Sequence, residues 1–148
     1  MTEVSQTNLF KVRIIDAETI ETVWASRLDD DCYRLESLLF FVYGYALGDI
    51  VSVTETEEQS PVVRGVVRRS GHSCYRVFLS GNLSSVEQTN TWPALTRLGC
   101  TYERATERLF AIDVPAETNI HSAYQLLNTG EKQGEWSFEE VYCGHNVI

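Results

Sequence analysis

The densest polar cluster in the chain is Arg64, Arg68, Arg69, Ser70, Gly71, His72 and Arg76, which puts four of the 12 basic residues into one short segment. Backbone N–H groups of a turn set beside guanidinium groups can cradle a phosphate or a carboxylate, because arginine meets planar oxyanions in bidentate geometry. Arg68, Arg69, Ser70, Gly71, His72 and Arg76 are therefore candidate residues for a small-molecule anion site, used for binding or for catalysis. A structural alternative assigns Gly71 to a turn and Ser70 and His72 to its backbone groups, with the arginines pairing across a sheet to Asp29–Asp31 or Glu55–Glu58. Turn chemistry alone accounts for such a block, so the structural alternative is preferred.

His72 and Cys74 are two apart, as are Cys143 and His145. Residues at that spacing on a strand share a face, so the four could form a tetrahedral zinc site if the segments met. Zinc ligands normally stand two to four residues apart, and the four cysteines contain no Cys-x-x-Cys pair. Reduced, mostly buried thiols are expected, with no metal and no cofactor. A hydrolytic set would draw on Ser70 or Cys74 with His72 and Asp49, but no Gly-x-Ser-x-Gly elbow is present. Phosphate-loop, dinucleotide and EF-hand patterns are also missing. No catalytic residue is assigned, and the chain reads as a binding protein rather than an enzyme.

Charge points the same way. Twelve Lys and Arg against 21 Asp and Glu give a formal charge of −9. Nucleic-acid backbone binding relies on clustered cations, so direct nucleic-acid binding is not expected, whereas docking on a basic partner is favoured. Asp29, Asp30, Asp31, Glu55, Glu57, Glu58, Glu139 and Glu140 are the candidate partner-contact residues. Glu139 and Glu140, adjacent on a strand, point to opposite faces and read as solvated edge charges rather than an acid/base pair.

The elements that must position these residues follow from hydrophobic periodicity. Period-two alternation predicts strands over Phe10–Ile15, Glu21–Leu28, Cys32–Leu35, Ile50–Val53, Val62–Arg69 and Ser73–Leu79, with turns at Asp29–Asp31 and Ser70–His72. Helices are predicted from about Pro93, stopped by Gly99, and over Asn119–Leu127, ended by Gly130. Further strands are predicted at Cys100–Arg104, Leu109–Val114 and Trp136–Tyr142. Tyr33, Phe40, Phe41, Tyr43, Tyr45, Phe78 and Trp136 are spaced for core and cross-strand packing. The fold class is α+β: a β-rich half over residues 9–72, a small barrel or bent sheet, fused to a ferredoxin-like β-α-β-β-α-β half over 73–142. No Pro/Gly/Ser linker separates them, so residues 1–148 form one integrated unit. The start of the chain, residues 1–8, is polar without the order of a secretory signal, and Ser37–Gly48 is too short for a membrane span, so a cytoplasmic protein is expected.

Four stretches carry a resemblance: Phe40-Phe41-Val42-Tyr43-Gly44 with Leu47-Gly48-Asp49; Arg68 to Ser73 followed by Tyr75-Arg76-Val77; Leu98-Gly99-Cys100; and Ala111 to Pro115. They resemble a bacterial family of small proteins classed as a domain of unknown function, with similar "YG…LGD", "RRSGHS", "LGC" and "DVP" blocks, from about Val12 to Glu140. The resemblance implies no catalytic residue. By analogy, small acidic proteins of this kind are often immunity partners of bacterial toxins. The expectation is therefore an immunity-type inhibitor whose partner is a cognate basic toxin, such as a nuclease.

Overall fold

A computed structural model of the chain describes residues 9–147, and the polar stretch 1–8 lies outside them. Nine strands and two α-helices follow in the order β1 Leu9–Asp16, β2 Thr19–Arg27, β3 Cys32–Leu35, β4 Ile50–Thr54, β5 Val62–Arg68, β6 Ser73–Leu79, α1 Trp92–Leu98, β7 Thr101–Arg104, β8 Leu109–Val114, α2 Ile120–Lys132 and β9 Trp136–Tyr142. A short 3-10 turn, Val86–Gln88, precedes α1.

The N-terminal sheet is built by alternation. In the β1–β2 hairpin Val12 opposes Val23, and Val12, Ile14, Val23 and Ala25 are buried while Lys11 and Trp24 of the alternate phase are exposed. The order β1-β2-β3-β4-β5 closes on itself, because β5 meets β1 in parallel at Arg13↔Val62. Arg13 secures that seam by donating from its backbone N–H to Pro61 O at 2.8 Å and from Nε to Ser60 O at 3.0 Å.

The C-terminal half is a four-stranded antiparallel sheet, order β7-β8-β6-β9, with both helices on one face. The succession β-α-β-β-α-β and this order resemble the ferredoxin-like topology. Tyr75, Val77, Phe110 and Ile112 pack beneath Leu95, Ala123 and Leu127 of the helices. On the opposite face Cys74, Ala111 and Val141 join the core of the N-terminal sheet, alongside Leu38, Leu39 and Val42. Strand β6 is thus buried on both faces, and one hydrophobic core crosses the boundary between the halves.

Two expectations need correction. Helix α2 does not end at Gly130 but runs to Lys132; Gly130 is needed for packing, since a Cβ there would lie 2.4 Å from the Trp136 ring. Trp136 Nε1 donates to Leu127 O at 2.8 Å, fixing the ring against the helix. Phe41, Tyr43 and Phe78 are also not core residues, being 58%, 49% and 56% exposed. Phe41 and Tyr43 belong to the segment 36–49, which contains no helix or strand and so imposes no alternation of buried and exposed positions. Among the described residues no helix is long and apolar enough to cross a membrane.

Candidate functional site

The arginine turn sits where the two halves meet, and Arg69, Ser70 and His72, though partly exposed, bond back into the protein. Asp49, fully buried, accepts hydrogen bonds from Ser70 N at 2.9 Å, Ala46 N at 3.0 Å and Arg69 Nη1 at 3.0 Å. Arg69 also donates to Gly44 O at 2.8 Å, and its guanidinium lies 3.9 Å from the centroid of the Tyr142 ring. Ser70 Oγ donates to Leu47 O at 2.6 Å and accepts from His72 N at 3.2 Å. Gly71 turns the chain at φ +90°, where a Cβ would meet Ala116 Cβ at 3.1 Å.

The next two residues tie the turn to β8 and to the segment after β9. His72 Nδ1 lies 2.8 Å from Asp113 Oδ1, so His72 is partnered by Asp113 rather than by Asp49. Burial raises the Asp113 carboxyl above the ordinary carboxylate range, and the His72 bond partly opposes that rise. Ser73 Oγ lies 2.6 Å from His145 Nδ1, while His145 Nε2 contacts Pro115 O at 2.8 Å. A carbonyl only accepts, so Nε2 carries a proton; in the neutral ring Nδ1 then accepts from Ser73, whose oxygen accepts from Gly144 N at 2.9 Å. Ser73 is fully buried, which makes this serine–histidine pair a clasp on the segment after β9 rather than an exposed nucleophile.

Arg76 pairs through Nε with Glu139 Oε2 at 2.9 Å beneath the Tyr43 ring, whose hydroxyl donates to Glu139 Oε1 at 2.8 Å. Glu140 accepts from the Tyr75 hydroxyl at 3.3 Å. Both glutamates are exposed on the edge strand β9, as the sequence suggests, and each also accepts a hydrogen bond from within the chain. Arg64 Nε donates to Thr54 Oγ1 at 2.8 Å, and Arg68 is exposed at the end of β5.

Cys74 faces the shared core, and burial pushes its thiol up to about 12. All four cysteines are free thiols. Among the described residues no group of three or more His, Cys, Asp and Glu side chains could hold a metal ion.

The acidic loops behave differently. Asp29 Oδ1 accepts from Asp31 N and Cys32 N, both at 2.9 Å, shaping the β2–β3 turn, and Asp31 O accepts from Val53 N at 2.9 Å. That last bond brings the turn against the end of β4, from which Glu55 follows. Asp30, Asp31 and Glu55 therefore line one concavity of about 630 Å³, with Lys11, Arg27 and Tyr33. Arg27 Nη2 pairs with Asp30 Oδ1 at 2.9 Å in solvent. Burial, then the Glu55 carboxylate, raises the Tyr33 phenol above its ordinary value. Glu57 and Glu58 are exposed farther along the same loop.

Three buried or half-buried carboxylates that the sequence reading did not single out hold the irregular segment and the site. Glu21, 5% exposed, accepts from Phe40 N at 2.6 Å and from Phe41 N and Val42 N at 3.0 Å. Glu103 Oε2 accepts from Leu38 N at 3.2 Å, and burial raises its carboxyl. The third is Asp113. Strand phase carried the signal for two of them: Glu21 shares its face with Val23 and Ala25, and Asp113 with Ala111.

The model of the family described as Domain of unknown function (DUF4265) matches residues 21–138, most of the chain, and the protein belongs to that family. No match was found among curated proteins. The fold is similar to that of a hypothetical protein from Neisseria gonorrhoeae known from a crystal structure, with a TM-score of 0.77, 17% identity, and coverage of 93% of this chain and 96% of that one.

Proposed function

We propose that the protein is a non-catalytic binding module, an immunity-type inhibitor that covers the cationic surface of a basic bacterial toxin, such as a nuclease. The observation that supports this reading is the convergence of Asp30, Asp31 and Glu55, from two separate loops, on one open concavity in a chain of net charge −9. Exposed carboxylates on a shared rim raise the rate at which a cationic partner is found, because opposite potentials steer encounter. Glu57 and Glu58 extend the same field along the loop. The arginine turn enters this reading as the junction between the halves, its donors already committed to Asp49, Gly44 O and Asp113.

The test is association of the full chain with the basic protein encoded next to it, followed by stopped flow over a range of salt. The association rate is expected to fall steeply as salt rises, with little change in dissociation, since the screening length shrinks to roughly 8 Å at about 0.15 M. Absence of any inhibited neighbour, together with a small anion that raises the melting temperature only when Arg69 is intact, would replace the inhibitor by an anion-binding protein.

A further inference from the structure

A second concavity, of about 540 Å³, opens between the loop that follows β6 and the α2–β9 turn, lined by Asn82, Gln88, Thr89, Asn90, Gln133 and Glu135 among others. Glu135 is only 7% exposed. Its backbone is committed, the N–H to Gly130 O at 2.9 Å and the carbonyl to Ser80 N at 3.0 Å. Its Oε2 accepts from Asn90 N at 2.6 Å, but Oε1 is buried with no partner at all. A carboxylate offers about four acceptor positions, and one left bare away from water is costly unless something fills it.

The other buried carboxylates are compensated. Glu21 accepts from the backbone N–H groups of residues 40–42, Asp49 faces Arg69, and Asp113 faces His72. Glu135 has no such partner: none of the residues lining the cavity is basic, and among the described residues no cation pairs with it. Arg76 also has a buried nitrogen without a partner, Nη2, but its charge is met by Glu139 at 2.9 Å and by the Tyr43 ring face. Glu135 is thus the place where both charge and hydrogen bonding are left open.

We propose that this cavity is a site for a monovalent organic cation that donates hydrogen bonds, an alkylammonium or guanidinium group, with Glu135 as its counter-ion. One carboxylate balances one positive charge, whereas calcium takes six to eight oxygen ligands and leaves a net charge on a single carboxylate. The exposed amide side chains of Asn82, Asn90 and Gln133 supply neutral acceptors at the rim of the cavity. The group can belong to a free amine or to a lysine or arginine side chain of another protein. The inference does not use the acidic rim of the N-terminal half and stands independently of the inhibitor reading.

The experiment is calorimetry and thermal unfolding of the full chain with butylamine, methylguanidine, and blocked peptides carrying one lysine or one arginine, against sodium chloride and calcium chloride at matched ionic strength. A saturable rise in melting temperature with an organic cation is expected. Binding should be weakened at least tenfold in Glu135→Gln, which keeps an acceptor for Asn90 N and should melt no lower than wild type without ligand. Response to the free cations assigns a small molecule, and response to the peptides alone assigns a side chain of a partner. The proposal is overturned by no saturable response to any organic cation, by one unchanged in Glu135→Gln, or by response to calcium alone. A Glu135→Gln variant that melts lower than wild type without ligand would also overturn it, assigning the carboxylate to structure.

Discussion

The arginine turn at the junction and the acidic rim of the N-terminal sheet are both dense in charge, yet their charges are spent differently. At the junction Arg69 has three partners, and Asp49, Ser70, His72 and Asp113 close a network between β4, β6 and β8. At the rim Asp30 has one exposed ion pair, with 94% of its side chain open to solvent, and Glu55 is exposed. Buried hydrogen-bonded charge holds a fold together and is expensive to disturb, whereas exposed charge contributes little stability and remains available to a partner. Charge density in a sequence therefore does not identify a binding surface; what matters is how much of that charge the fold itself uses.

The contrast can be broken most severely at Asp49. Replacement by alanine leaves Ser70 N and Ala46 N without their acceptor and takes from the partly exposed Arg69 its counter-ion, and should cost about 2–4 kcal/mol in urea unfolding. A loss below about 1 kcal/mol would mean the junction is far looser than its geometry. Gly71→Val should cost about 2 kcal/mol in the same measurement, because a β-branched residue resists a positive φ and its Cβ would crowd Ala116.

A smaller effect is expected from pH. Burial, above all, raises Asp113 and Glu103 in the folded chain, so the native state keeps these protons to higher pH than the unfolded chain does. Their contribution to stability is present below the unfolded carboxylate value of about 4 and is lost as pH rises through their raised folded values. That is the opposite sense from a carboxylate held in a salt bridge. Asp113→Asn with Glu103→Gln should flatten this part of the profile; a difference between wild type and double variant that does not change with pH above about 4 would exclude it.

Much of this architecture was legible in the residues. Strands β3, β6, β8 and β9 have the bounds that alternation predicts, and Pro93 lies in the first turn of α1 as expected. Gly130 was misread because sequence shows a glycine's freedom but not the tryptophan ring that crosses it from β9. The segment 36–49 was illegible for a related reason: it is held by Glu21, Glu103 and the backbone of β9, all distant in sequence. The acidic rim was half legible. Both loops could be named, but their meeting depends on the bond from Val53 to Asp31 across the sheet, and the pairing of His72 with Asp113 depends on the β6–β8 register.

If, as proposed, the rim binds and the junction only supports, mutations at the two must act differently. Reversing Asp30, Asp31 and Glu55 to lysine spares Asp29, which shapes the turn, and should be set beside His72→Gln in one experiment. The measurement is the rate of association of the full chain at low salt with a basic protein encoded next to it, with melting temperature recorded for each variant. Association should be at least tenfold slower for the triple reversal at an unchanged melting temperature, and its rate unchanged for His72→Gln. Slower binding by a fully folded His72→Gln protein, with the triple reversal binding like wild type, would place the binding surface at the junction and not at the rim.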